Sequence, residues 1–182
     1  MGSQYGKLKE YDIDFINRQH IFYIASSSGK EVNLSPKGYD SIYIIDTKTI
    51  LYLDLPGSGN RTARDISDNG EITLVFNSFE ESEAKILRIF AKGQVILKSD
   101  KIFSEYFKKF DVEEKYIRQF LIFNIYAVES SCGEAIPIMK FEKKRDSLFN
   151  WVKKMSKNNK LANYIEEHKT PPSLENLETQ KD

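Results

Sequence analysis

Leu51-Tyr52-Leu53-Asp54-Leu55-Pro56-Gly57-Ser58-Gly59-Asn60-Arg61-Thr62-Ala63-Arg64 runs an apolar segment into a Pro-Gly-Ser-Gly turn and then into a helix start. Whether this loop opens a Rossmann unit or belongs to an antiparallel sheet depends on the apolar period on either side. Upstream, Ile21 to Ala25 and Glu31 to Ser35 flank the cluster Ser26-Ser27-Ser28-Gly29-Lys30, which reads as strand, turn, strand. Ser41 to Asp46 and Thr49 to Leu55 follow, joined by the link Asp46-Thr47-Lys48 at hairpin spacing. Strands joined by such short links are antiparallel. Downstream, Asn60 to Asn69 reads as a short helix stopped by Gly70, Glu71 to Ser78 as a strand, and Ala84 to Lys98 as a long strand with Gly93 marking a bulge or bend. The loop therefore lies in an antiparallel sheet.

Further along, Phe103, Tyr106, Phe107 and Phe110 recur at helical steps within Ser99 to Phe110. Phe120 to Glu129 returns to alternation, with Leu121, Phe123, Ile125 and Ala127 on one face, and Ile136 to Phe141 extends or pairs with it. Leu148, Trp151, Val152 and Met155 form a helical stripe in Asp146 to Met155, and Leu161 to His168 continues as a second helix. Residues 1–169 read as one domain, and 170–182, from Thr170-Pro171-Pro172 onward, as a flexible tail or arm. Many short strands, few intervening helices and a late helical appendix predict a β-dominated α+β fold, an antiparallel barrel with flanking helices.

The chain has 182 residues, 27 Lys and Arg against 27 Asp and Glu, and 40% hydrophobic residues, enough for its own core. Balanced charge argues against a dedicated nucleic-acid binder. The basic stretch from Lys140 to Lys160 reads as a solvated helix face, since its aromatic residues do not interleave with the cations in a way that suggests base stacking. No apolar run reaches the roughly 20 residues that span a bilayer, and Met1 to Glu10 lack the apolar core of a secretory signal, so a cytoplasmic, membrane-free protein is expected. The lone Cys132 excludes an internal disulfide and reads as a packed, inert thiol, and His20 and His168 are too far apart in sequence to suggest a metal pair.

Two loops carry candidate chemistry. Gly57 and Gly59 let backbone approach a ligand closely, and Asn60, Arg61 and Thr62 at the helix start offer N–H groups and a guanidinium to a phosphate. It is no Walker loop, lacking Gly-Lys-Ser/Thr, and no dinucleotide fingerprint, because Thr62 stands where a third Gly belongs. The same residues also fit simple helix capping, with Thr62 and Asp65 closing a box. The second loop, Asn33-Leu34-Ser35-Pro36-Lys37-Gly38, places polar side chains and one cation at a strand end, suited to a planar polar ligand or to a solvated turn.

Taken together in order, Asn33 to Gly38, Asp54 to Thr62, the strand Ile72 to Ser78, Ile86 to Ile89 with Lys92-Gly93, and then Cys132-Gly133, Ile136-Pro137 and Arg145-Asp146 resemble the pyridoxamine 5'-phosphate oxidase-related family of FMN-binding split barrels, across roughly residues 12–165. The resemblance implies a six-stranded antiparallel split β-barrel, a homodimer with FMN at the interface, and a small-molecule substrate with NADH or NADPH as candidate electron donor. By the same resemblance Asn33, Ser35, Pro36 and Lys37 meet the flavin ring and ribityl chain, Asn60, Arg61 and Thr62 grip the phosphate, and Arg88 reaches FMN, in some members from the partner subunit. Members that oxidise pyridoxamine phosphate carry a terminal Arg-x-His element, which is not matched around Leu174 to Leu177, so the resemblance implies an FMN-dependent oxidoreductase of open substrate, or alternatively a non-catalytic FMN carrier. Haem or a deazaflavin, held by some relatives of this barrel, is the weaker alternative, and haem is disfavoured by the two unpaired histidines. Trp151, with Leu148 and Met155, reads as a core or dimer anchor rather than a residue stacked on a flavin.

Overall fold

A computed structural model describes residues 2–29 and 31–174; the arm predicted over 170–182 falls outside the described residues from 175 onward. The chain forms β1 (Ser3–Tyr5), α1 (Glu10–Arg18), β2 (Phe22–Ser27), β3 (Val32–Lys37), β4 (Ile42–Asp46), β5 (Thr49–Asp54), α2 (Arg61–Asp68), β6 (Glu71–Asn77) and β7 (Lys85–Ile96). It continues through α3 (Phe103–Phe107), a single 3₁₀ turn (Glu114–Tyr116), β8 (Gln119–Cys132), α4 (Ser147–Lys157) and α5 (Leu161–Glu167). No helix among the described residues is long and apolar enough to cross a membrane.

The strands form one antiparallel sheet ordered β3-β2-β6-β7-β8-β5-β4. β7 pairs with β8 along its whole length, while the other side of β8 is divided between β5, at Gln119–Asn124, and β1, at Val128–Ser130. Among the described residues the sheet therefore has eight strands where six were expected, and no pairing joins its end strands β3 and β4. It curls nonetheless. Lys37 on β3 stands 5.7 Å from the ring centroid of Tyr52 on β5, although four strands lie between them in the sheet's path. The gap between the two ends is where the site lies.

The curl follows from local geometry. Phe90 pairs with Ala127 and Ala91 with Ile125, so Tyr126 is a bulged residue that steepens the twist of β8. The bulge also changes which side chains enter the core: Leu121, Phe123 and Ile125 point inward as alternation predicts, but the next inward residue is Val128 and not Ala127. Gly93 serves a different purpose from the bend read for it. A Cβ there would lie 2.7 Å from Ile66 Cγ1, so the missing side chain lets α2 press against β7.

β5 is apolar on both faces because it separates two cores. Ile50 and Tyr52 face the main core with Ile24, Leu74, Leu87, Ile89 and Phe123, whereas Leu51 and Leu53 face a second cluster with Phe103, Ile117 and Phe120. A third cluster, Tyr116, Val152 and Leu161 with Trp151 and Met155 against it, attaches the C-terminal helices, confirming Trp151 as a packing residue.

Several elements differ from the sequence reading. α1 was not anticipated, yet Phe15 and Ile16 are buried in the main core, and buried Asp12 accepts from Tyr5 Oη, the Lys9 N–H and Lys85 Nζ. The helix expected over Ser99 to Phe110 shrinks to Phe103–Phe107, preceded by turns in which Asp100 accepts from the Leu97 and Phe103 N–H groups. Ile136 to Phe141 forms no strand; its Met139 N–H donates to the carbonyl of Phe79, in the loop that follows β6. Cys132 is exposed at the end of β8, not packed.

Candidate functional site

β3 reverses the usual alternation of a sheet edge. Val32 and Leu34 are 80% and 62% exposed, while Asn33, Ser35 and Lys37 turn inward. A strand whose inner face is polar cannot seal a hydrophobic core; it lines a cavity instead. That cavity, of about 410 Å³, is completed by Tyr52 and Asp54 of β5, Leu121 of β8, the turn at Ser58 and Gly59, residues 60–63 at the start of α2, and Pro171 and Pro172. Its volume is that of a small-molecule or cofactor site, roughly 300 to 1,000 Å³.

The structure thus brings six of the eight residues expected to hold a cofactor, Asn33, Ser35, Lys37, Asn60, Arg61 and Thr62, into one cavity. Pro36 takes the opposite face of β3 and lines a neighbouring basic cleft with His20, Phe141 and Arg145. Arg88 lies outside the cavity on β7, where it donates to Glu129 Oε1 at 3.2 Å and Ser131 Oγ at 2.9 Å.

Within the cavity, hydrogen bonds lock the polar side chains of β3 to α2. Ser35 Oγ donates to Asn33 Oδ1, and Asn33 Nδ2 donates to both Ser26 Oγ and Thr62 Oγ1 at 3.1 Å. Ser26 Oγ in turn donates to the buried carboxylate of Asp65 at 2.7 Å. Asp65 therefore anchors this network and does not close a capping box with Thr62. Asn60 is at the N-cap position, yet its side chain makes no cap hydrogen bond, leaving the first N–H groups of α2 available at the cavity wall.

Lys37 is the cation without a partner. Among the described residues it forms no hydrogen bond or ion pair, and burial pushes its pKa down, assisted by the Arg118 charge and opposed by Asp54. Asp54 is buried, accepts one side-chain hydrogen bond from Gln119 Nε2 at 2.9 Å, and has its pKa pushed up by burial against the opposing pull of Arg118 and Lys37. Arg118 does not bond that carboxylate through its side chain. Its guanidinium donates to the carbonyls of Gly57 and Gly59, clamping the glycine turn, while its buried Nε has no hydrogen-bond partner among the described residues.

Arg61 and Arg64 share Glu31, holding its carboxyl below the usual range. Arg64 also donates to the buried Asp65, so the two guanidiniums are matched by two carboxylates, and of the four only Arg61 is among the described residues that line the cavity. Tyr52, Asp54, Gln119, Arg118 and Glu31 were not singled out from sequence. The first four are adjacent only through pairing of β5 with β8, which sets Asp54 opposite Gln119. Asn60 Oδ1 also accepts from Gln119 Nε2, joining the floor of the cavity to the α2 start.

No protein-family model matches the chain. It is 31% identical over 140 residues to the pyridoxamine 5'-phosphate oxidase family protein ustO of Aspergillus flavus, covering 74% of this chain and 56% of that protein, so the chain spans little more than half of its relative's length. A variant of HupZ from Group A Streptococcus has a TM-score of 0.55 at 18% identity, covering 68% of this chain and 98% of its own. A candidate pyridoxamine 5'-phosphate oxidase from Lactobacillus delbrueckii has a TM-score of 0.53 at 18% identity, covering 67% and 93%. The two solved structures show a shared β-dominated antiparallel fold with flanking helices.

Proposed function

Because the chain belongs to the pyridoxamine 5'-phosphate oxidase-related family, we propose that the cavity between β3, β5 and α2 binds FMN and that the protein is an FMN-dependent oxidoreductase. The observation that carries this reading is the reversed β3: three inward polar residues, one of them an unpartnered half-buried lysine, facing an uncapped helix start. The donor set matches the parts of a flavin nucleotide. Arg61, Asn60 and the first N–H groups of α2 are suited to the phosphate, where charge-assisted bonds are strongest. Ser35, Asn33 and Lys37 lie along β3 at the positions suited to the ribityl chain and ring edge, where hydrogen bonds tune a flavin's electronics.

A bound flavin supplies the hydride-accepting and hydride-donating chemistry. The protein positions it through α2, whose place is fixed by the close contact of Ile66 with Gly93 and by the network ending on Asp65. Lys37 holds positive charge beside the cavity, and Asp54, pushed toward its protonated form by burial, is the one carboxyl among the described residues that line the cavity wall. Val32 and Leu34, exposed side by side on the end strand, support a homodimer in which a second copy covers β3. In that assembly Arg88 would serve the partner subunit's flavin.

Anaerobic addition of NADPH or NADH to the FMN-loaded protein tests the oxidoreductase reading. Bleaching of the flavin band is expected; a bound flavin that no nicotinamide reduces would leave a carrier and refute the enzymatic part.

A further inference from the structure

α5 ends at His168, and the chain then turns across the mouth of the cavity. Asn60 Nδ2 donates to the carbonyl of Lys169 at 2.7 Å, and Arg61 Nη2 donates to the carbonyl of Pro172 at 2.7 Å. Pro171 between them is buried, and Pro171 and Pro172 form part of the cavity lining. Beyond the mouth, Thr170, Pro171, Ser173 and Leu174 lie along a second cleft of about 500 Å³ with Ser28, Glu31, Arg64 and Asp68.

Two of the donors assigned above to a ligand phosphate are thus already satisfied from within the chain. The segment is chemically suited to that position. A Pro-Pro pair has no backbone N–H, so it presents carbonyl acceptors only, as a phosphate presents only oxygens, and its restricted φ lowers the entropy lost on docking. A neutral carbonyl is nevertheless a weaker acceptor than an ionised phosphate, which makes the docked arm displaceable.

We propose that Lys169 to Pro172 form an internal competitor seated in the anion subsite, which a phosphate-bearing ligand must displace to bind. The proposal rests on the reading of that subsite as the place of the FMN phosphate. Asn60 Nδ2 and the Arg61 Nη2 that faces Pro172 cannot serve the arm and a phosphate at once, so the two occupants exclude each other. The free protein is closed by its own arm, and cofactor loading releases it. Riboflavin, which has the same ring and ribityl chain and no phosphate, does not compete for those donors and leaves the arm in place.

The test follows trypsin cleavage of the Lys169–Thr170 bond in the intact chain by mass spectrometry, alone and with FMN, riboflavin or inorganic pyrophosphate. FMN and pyrophosphate should accelerate this cleavage several-fold and riboflavin should not. In the absence of ligand, Arg61→Ala should accelerate it as well, since one of the two docking bonds is lost. A full-length Pro171→Gly, Pro172→Gly variant, which loosens the arm without altering Asn60 or Arg61, should bind FMN about 5-fold to 10-fold more tightly than the parent. FMN that binds while cleavage stays unchanged or slows, or a glycine variant that binds FMN more weakly, overturns the competitor and makes the arm a lid. If neither form binds FMN, the flavin reading fails separately, and pyrophosphate decides the arm: faster cleavage retains it as a competitor for phosphate, unchanged cleavage overturns it.

Discussion

Replacing Gly93 by alanine tests how the sheet positions the helix that begins the site. The added Cβ would lie 2.7 Å from Ile66 Cγ1, 2.9 Å from Cδ1 and 3.2 Å from Cγ2. Ordinary carbon contacts lie at about 3.5 to 4.0 Å, so α2 must retreat by roughly 1 Å or Ile66 must move. Rotation offers little relief, because Ile66 is β-branched, only 5% exposed, and crowded through both of its γ-carbons. Overpacking of this kind costs about 1 to 3 kcal/mol, against a gain of roughly 0.5 to 1 kcal/mol from replacing a flexible glycine within a strand. Gly93→Ala should therefore destabilise the protein by about 1 to 2 kcal/mol in urea denaturation with an unchanged m value, and should weaken FMN binding because Asn60 to Thr62 move with α2. Ile66→Ala alone should cost about 2 to 4 kcal/mol, and adding Gly93→Ala to it should cost nothing more, since the clash has gone. A neutral Gly93→Ala, or costs that simply add, would refute the claim that this glycine sets the position of α2.

The buried carboxyl offers a pH test. Because burial raises the folded-state pKa of Asp54 above its unfolded value, its contribution favours folding at acid pH and is lost as pH rises from the ordinary carboxylate range through the raised value. Asp54→Asn should flatten that part of the stability profile and be at least as stable as the parent at neutral pH; a variant equally weakened at every pH would count against it. Lys37→Ala combined with Arg61→Ala should weaken FMN binding by about 3 kcal/mol or more while the urea midpoint changes little, and unchanged affinity in a fluorescence titration would remove the phosphate assignment. Leu34→Lys, on the exposed face of β3, should convert a dimer to a monomer by light scattering, whereas an unaltered mass would place the interface elsewhere. Arg88→Ala should lower FMN affinity without dissociating the dimer; full affinity would confine Arg88 to its pairing with Glu129 and Ser131.

Much of the sheet is legible in the chain because β2 and β5 to β8 bury apolar side chains, and both alternation over five or more residues and the continuous apolar run of β5 register clearly. β1 is three residues of which two are exposed, and nothing in Ser3 to Tyr5 distinguishes it from a loop. α1 did leave a signal, since Leu8, Phe15 and Ile16 are buried, but the polar Asp12 interrupts the stripe, and the cation that pairs with it is Lys85, 73 residues away. Local spacing cannot report such a pair.

The site divides in the same way. Asn33, Ser35 and Lys37, and Asn60 to Thr62, sit in two short motifs whose composition alone suggested polar-ligand chemistry. Asp54, Arg118 and Gln119 are ordinary residues in sequence; Asp54 lines the cavity, and Gln119 and Arg118 support it from behind only because β5 and β8 are neighbours. Arg118 illustrates the limit most plainly: its role, holding the carbonyls of Gly57 and Gly59 from across the sheet, leaves no pattern around position 118.

The central claim, that this cavity binds a flavin through its phosphate, is tested most directly by titrating the purified protein with FMN and with riboflavin and following flavin fluorescence. The account predicts saturable FMN binding that is at least about tenfold tighter than riboflavin binding, the difference lying in the contacts to Arg61, Asn60 and the start of α2. Equal affinity for the two flavins, or no binding of either, would contradict it.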